Sequence, residues 1–261
     1  RSGKSFLLKK LFRQHLLNDG VKEDHIIIID MESRKNKPFK DPDYLLDWVE
    51  KEMKDDDTYY IIIDEVQEVN DFVEVLSTLS VTEGTDVYVT GSNSRFLSSD
   101  VVTEFRGRGD EIHVYPLSFS EYMEAFEGDQ YEGYEQYSIY GGLPYTLSFD
   151  NDNDRSKYLK NLFEETYLRD IIERNNISSV EELNELLNVI SSQIGSLTNP
   201  RNLQNTFKSE KNITLSDKTI SNYLDYFMDA FLITKALRYD VKGRKYINSP
   251  YKYYFEDIGL R

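Results

Sequence analysis

Three short runs in the first half of this chain are apolar almost throughout: His25–Asp30 (HIIIID), Tyr59–Asp64 (YYIIID) and Asp86–Thr90 (DVYVT). A strand with one wet face alternates apolar and polar residues, whereas a strand buried on both faces does not. The segments around these runs repeat at helical spacing. Ser5–Leu17 carries Phe6, Leu7, Leu8, Leu11, Phe12, Leu16 and Leu17; Tyr44–Met53 and Asp71–Leu79 follow, the latter with Asp71 as expected cap. Buried strands alternating with helices predict an α/β fold, a parallel sheet with helices on both faces. Glu111–Tyr115 reads as a fourth strand.

After Pro116 the pattern changes. Phe119–Phe126, Tyr134–Tyr140, Lys157–Arg174 and Val180–Ile190 read as helices, and Asp150–Asp154 (DNDND) as a solvated loop. Two more helices, Pro200–Lys208 and Asp217–Ala230, precede the strand-like Phe231–Tyr239, a turn at Lys242-Gly243 and a strand at Tyr251–Phe255. Ser216 is a suitable N-cap, with Thr219, Ile220, Tyr223, Leu224 and Phe227 following at helical intervals. Helix, turn, helix and hairpin make a winged helix-turn-helix. The expected division is 1–118 for the α/β core, 119–195 for a helical lid, and 196–261 for the winged-helix unit and the start of a further domain.

The chain has no cysteine, which excludes a disulfide framework, a thiol nucleophile and Cys-ligated metal. No apolar run approaches the ~20 residues of a membrane span. Both point to a cytoplasmic protein without a membrane partner. Net charge is −16, but unevenly spread: Gly195–Phe255 holds ten basic and five acidic residues, a balance of +5 that leaves −21 elsewhere. Ordinary variation between domains accounts for such an asymmetry; equally, any nucleic-acid surface belongs in the C-terminal region.

The chain opens Arg1-Ser2-Gly3-Lys4-Ser5-Phe6 and runs directly into a helical pattern. This is the back half of the phosphate-binding motif G-x-x-x-x-G-K-[ST], whose first glycine and preceding strand are expected upstream of Arg1. A glycine turn entering a helix offers backbone N–H groups and the positive end of the helix dipole to phosphate. Arg1, Ser2, Gly3, Lys4, Ser5 and Phe6 are the expected nucleotide-binding residues, with Lys4 reaching the outer phosphates and the Ser5 hydroxyl holding Mg²⁺. A bare G-K-S recurs by chance. The second signal decides it: the apolar run Tyr60–Ile63 ends in Asp64-Glu65, carboxylates at the C-terminal end of a parallel strand, where ligands bind in open α/β sheets. Asp64 is suited to the magnesium shell, and Glu65 to act as general base on the attacking water. A third strand ends in Gly91-Ser92-Asn93-Ser94. Asn93 or Ser92 either contacts the γ-phosphate or forms a turn. These residues point to ATP or GTP without separating them.

Together, RSGKS, IIIDEVQ and VTGSNS resemble the motifs of AAA-family ATPases. More narrowly, the chain resembles prokaryotic AAA-family ATP-binding proteins that carry a winged helix and a restriction-endonuclease-like C-terminal region of unknown function. The resemblance continues through Arg106-Gly107-Arg108, Ile112–Tyr122, Tyr140-Gly-Gly-Leu-Pro144, Tyr167-Leu-Arg-Asp170, Ser216–Tyr223 and Lys252–Leu260. It implies ATP and Mg²⁺ as ligands, Asp64 and Glu65 as the acidic pair, and Asn93 or Ser92 as sensor. It also implies a lid motif at Gly142 and Pro144, with the proline packing on the base, and a nuclease-like region beyond Arg261. Arg108 is the candidate to neutralise transition-state charge, within the chain or across a homo-oligomer, with Arg106 and Arg169 as alternatives; a surface arginine in a glycine-rich loop is the plainer reading. Double-stranded DNA is the expected partner of the winged helix, with Lys218, Ser221 and Asn222 at the groove and Lys242, Arg244 and Lys245 on phosphate. A nucleotide-gated DNA-binding or signalling module with little turnover is the alternative to an ATPase. A third reading makes the acidic surface a protein-binding face and the winged helix a dimerisation element.

Overall fold

The structure, a computed structural model, describes residues 2–91, 109–211, 215–237 and 250–261. It divides into two compact units, Gly3–Val114 and one containing Tyr115–Arg261.

In the first unit the three apolar runs form a parallel sheet in the order β1 (Ile26–Asp30), β2 (Tyr59–Asp64), β3 (Thr85–Val89). The central strand is the most buried, Ile61, Ile62 and Ile63 being fully enclosed, because β2 is the strand with neighbours on both edges and helices on its faces. Helix Pro42–Glu52 begins with Asp41, whose side chain accepts the Tyr44 N–H at 2.9 Å, and with Pro42 in the first turn. It buries Leu45 and Val49; helix Phe72–Val81 buries Val75, Leu76 and Leu79, all in one core with Ile27, Ile29, Ile61 and Ile63. The register sets Asp30 opposite Asp64, so two strands end in carboxylates side by side.

Two expectations need correction in this part of the chain. Asp71 precedes its helix but makes no side-chain cap: its φ of 46° turns the backbone left-handed, and its carbonyl instead accepts the Glu74 N–H at 2.9 Å. The first segment is helical as its spacing predicts, over residues 4–18, with Phe6, Leu7 and Leu11 exposed and Leu16 enclosed. Glu111–Tyr115 is irregular rather than a strand, with Ile112 79% and Tyr115 60% exposed.

The second unit is helical. Phe119–Ala125 starts with a reciprocal capping box between Ser118 and Glu121, and Gln130–Tyr140 is capped by Asp129. A continuous run comprises Asp152–Asn161, a π-helical Leu162–Leu168 and Arg169–Asn175; Val180–Ser192 follows. The DNDND tract is therefore not all loop. Asn151 caps the helix by accepting the Asp154 N–H at 2.9 Å, and Asp152 and Asp154 sit in its first turn, where the dipole favours acids. Pro200–Thr206 and Asp217–Asp229 precede an antiparallel pair, β4 (Ile233–Ala236) and β5 (Lys252–Phe255). Ser216 caps the second of these helices through the Thr219 N–H at 3.0 Å. One core joins Leu183, Leu186 and Ile190 to Leu203, Phe207, Ile220, Leu224, Phe227, Ile233 and Phe255.

Two glycines in this unit hold a tight crossing. Gly141 has φ 74°, and a Cβ there would meet the Asp257 carboxylate at 2.0 Å; at Gly142 it would meet the Leu117 carbonyl at 2.0 Å. Asp257 accepts the Gly142 N–H at 2.7 Å and the Gly259 N–H at 2.8 Å. The strings Tyr140–Pro144 and Phe255–Leu260 thus interlock around one buried carboxylate. Among the described residues no helix is long and apolar enough to cross a membrane.

Candidate functional site

The site lies at the C-terminal ends of the strands in the first unit. Gly3 has φ 100° and ψ 5°, a conformation that side chains disfavour, and it turns the chain into the helix. The helical run consists of Lys4–Phe6, a π-helical Leu7–Phe12 and Arg13–Asn18. It begins with the Leu7 N–H donating to the Gly3 carbonyl at 2.8 Å. This turn carries Ser5 to β2: its Oγ donates to Asp64 Oδ1 at 2.8 Å, across 59 residues of sequence.

Asp64 is enclosed, and the groups around it converge from three other segments. Thr90, buried just past β3, donates its hydroxyl to the same Oδ1 and accepts the Glu65 N–H at 3.0 Å. Lys9, on the helical run, sets its ammonium 2.7 Å from Asp64 Oδ2 and 2.8 Å from Asp30 Oδ2. Burial pushes the Asp64 carboxyl up, but the Lys9 ammonium and the Thr90 and Ser5 hydroxyls outweigh it and hold Asp64 below the usual carboxylate range. Burial likewise disfavours the charged form of Lys9, and Asp30 and Asp64 together more than compensate, raising it. Glu65 follows in a left-handed conformation, φ 56° and ψ 52°, sparsely populated by residues of its size and concentrated at functional positions. The Gln67 amide donates to Glu65 Oε2, while Gln67 Oε1 is buried without a hydrogen bond.

The residues fit a divalent cation. The donor set is hydroxyl and carboxylate oxygen, which suits Mg²⁺. Asp64 Oδ2 is buried and takes no aligned hydrogen bond, although the Lys9 charge lies close.

The structure thus brings together Gly3, Ser5 and Asp64, with Glu65 next in sequence. Lys4 and Ser2 are part-buried in the same opening turn, and Phe6 is 61% exposed. Arg1, Ser92, Asn93, Arg106, Arg108, Lys242, Arg244 and Lys245 lie outside the described residues. Pro144 opens a short turn, Pro144–Ser148, in the other unit. Arg169 pairs with Glu165 and Glu173 on its own helix. Lys218 and Asn222 are exposed and Ser221 is half-buried on helix Asp217–Asp229, opposite the buried Ile220, Leu224 and Phe227. Their exposed neighbours include Asp225 and Asp229.

Sequence reasoning missed Lys9, Asp30, Thr90 and Gln67. Asp30 had a signal, since it ends an apolar run as Asp64 does. Of the histidines, His25 is buried against Tyr59, with ring centroids 4.4 Å apart. It approaches Asp55 and Asp57, with ligand atoms within 4.8 Å of one another, and Lys22 already contributes an ammonium 3.0 Å from Asp57. That group lies toward the start of β1 and β2, the end of the sheet away from Ser5.

Comparison with known proteins follows the division of the chain. Residues 1–123 match the family described as AAA domain, so the α/β unit is similar to that family over its length. Residues 131–261 match Domain of unknown function (DUF8612), and over that half the chain belongs to this family. An uncharacterized protein of Haemophilus influenzae is 33% identical over 267 residues, covering 100% of this chain and 66% of its own length. Another, from Methanocaldococcus jannaschii, is 25% identical over 249 residues, covering 89% of this chain and 54% of its own. The chain thus spans about two thirds and about half of these relatives. A chain of the Drosophila ORC structure bound to AT-rich DNA and Cdc6 aligns over 95% of this chain and 78% of its own at 11% identity, with a TM-score of 0.28, too low to carry an argument.

Proposed function

We propose that this protein binds ATP with Mg²⁺ and hydrolyses it, and that hydrolysis shifts the helical segment and winged-helix unit that follow. The observation that carries the reading is the convergence of Ser5 on Asp64, 59 residues apart, beside a glycine turn that starts a helix. The match of residues 1–123 to an AAA domain supports the same assignment.

In this reading Gly3 lets the backbone approach phosphate, and Lys4 neutralises charge on the outer phosphates. Ser5 and Asp64 would hold Mg²⁺, which supplies charge neutralisation on the phosphoryl oxygens when bound. Asp64 is suited to this role because the Lys9 ammonium and the Thr90 and Ser5 hydroxyls keep it ionised despite burial. Glu65 orients and deprotonates the attacking water, and Gln67 restrains its carboxylate. Thr90 couples the two acids, bonding the side chain of one and the backbone of the other. Ser92 or Asn93 serves as sensor, Arg108 as the charge-neutralising arginine and Pro144 as the lid contact. Titration of the full chain with MgATP tests the site. Lys4→Ala should weaken binding at least tenfold, and unchanged binding would remove the phosphate role.

DNA binding by the second unit is the next layer. Helix Pro200–Thr206, helix Asp217–Asp229 and the β4–β5 pair occur in winged-helix order, which supports it. Asp225 and Asp229 beside Lys218 and Asn222 oppose a phosphate contact on that face. Association with DNA that ignores ionic strength would rule out the proposed lysine and arginine contacts.

A further inference from the structure

Lys9 stands on the helical run four residues beyond Ser5, within the π-helical Leu7–Phe12, a helix type that is rare and frequent at functional sites. The parallel register sets Asp30 and Asp64 side by side, and the Lys9 ammonium lies between them, 2.8 Å from one and 2.7 Å from the other. The two contacts are unequal. Toward Asp30, Lys9 makes an aligned hydrogen bond to a carboxylate 36% exposed. Toward Asp64, whose side chain is 1% exposed, it makes a charge contact that leaves Oδ2 without an aligned hydrogen bond. Lys9 can keep its hydrogen bond to the more exposed Asp30 while a metal takes the enclosed Asp64. A divalent ion carries twice its charge and prefers carboxylate oxygen.

We propose that Lys9 is a resident cation that competes with the divalent metal for Asp64 and is retained by Asp30 when the metal takes Asp64, so that the Lys9–Asp30 pair sets the metal affinity of the site. Asp30 is well placed to retain it. Its other carboxylate oxygen accepts the Glu32 N–H at 3.1 Å and its carbonyl accepts the Asn36 amide at 2.9 Å, which fix it independently of Lys9. The inference rests on the nucleotide-site reading, and its test separates the two.

The experiment is Mn²⁺ titration of the full chain with saturating ADP, free Mn²⁺ being read by electron paramagnetic resonance. Lys9→Met removes the competitor and should tighten Mn²⁺ binding threefold or more. Asp30→Asn leaves Lys9 to Asp64 alone and should weaken it by a similar factor. In the Lys9→Met background Asp30→Asn should have less than half of that effect on the logarithmic scale, because Asp30 acts through Lys9. Unchanged or weaker Mn²⁺ binding in Lys9→Met overturns the proposal, as does an equal Asp30→Asn effect in both backgrounds. If Lys9→Met fails to fold, Asp30→Asn alone decides: tighter or unchanged binding overturns it. Wild type that binds neither ADP nor Mn²⁺ would instead sink the nucleotide reading itself.

Discussion

Asp257 offers the sharpest energetic test of the second unit. Its carboxyl is enclosed where Tyr140–Pro144 crosses Phe255–Leu260. Burial pushes its pKa up to about 6, against the opposing pull of backbone N–H groups from Gly142, Gly259 and Leu143. From the ordinary 3.8 to about 6 the folded protein keeps a proton that the unfolded chain releases. In that window the contribution of Asp257 to stability therefore falls as pH rises, and above about 6 it stays at its lower level. At ~1.4 kcal/mol per unit, the whole loss is roughly 3 kcal/mol. Other acids titrate in the same range, so the comparison is with Asp257→Asn, which is neutral at every pH. Urea unfolding of both proteins from pH 3.5 to 8 should show wild type losing stability relative to the variant at about 1.4 kcal/mol per unit, then running parallel above about 6. Parallel curves throughout, or wild type gaining on the variant as pH rises, would refute the claim that burial dominates this carboxyl.

Two further outcomes follow from the packing. Thr90→Val keeps the shape but removes the donor to Asp64 and the acceptor for the Glu65 N–H; it should cost roughly 2–4 kcal/mol by urea unfolding and lower ATP turnover. A loss under about 0.5 kcal/mol would mean that water replaces both bonds. Gly142→Ala drives a Cβ to 2.0 Å from the Leu117 backbone carbonyl and should cost about 3 kcal/mol or more, whereas Gly109→Ala, with nothing within 4 Å, should be near neutral. Equal melting temperatures for those two variants would contradict the close crossing.

The sheet was legible because β1 and β2 are apolar runs, and β2 announced both its burial and its terminal acids. The Ser5–Asp64 contact followed from motif chemistry alone. Lys9 was not legible and Asp30 only as the acid that ends an apolar run, because the bridge between them depends on a strand register that no local pattern reports. Asp257 was hidden for the same reason, since its Gly142 partner is 115 residues away. The Gly-Gly pair signalled a special backbone, and Gly141 has its positive φ, but what would fill the space of a Cβ was set by distant chain. The misread strand at Glu111–Tyr115 shows the limit of hydropathy, because Ile112 and Tyr115 fit the pattern yet stay exposed. The DNDND tract reads as loop because acids favour water; the same acids favour a helix start.

The central claim is that this site hydrolyses ATP, and Glu65 carries it. The direct measurement is single-turnover cleavage of γ-labelled ATP bound to the full chain, wild type against Glu65→Gln. Wild type should release labelled phosphate, while Glu65→Gln should bind ATP with similar affinity and cleave it at least a hundredfold more slowly. Equal cleavage by the two proteins would contradict the assignment of Glu65 as the base, and ATP left intact on wild type for hours would make the protein a nucleotide-gated binder rather than an ATPase.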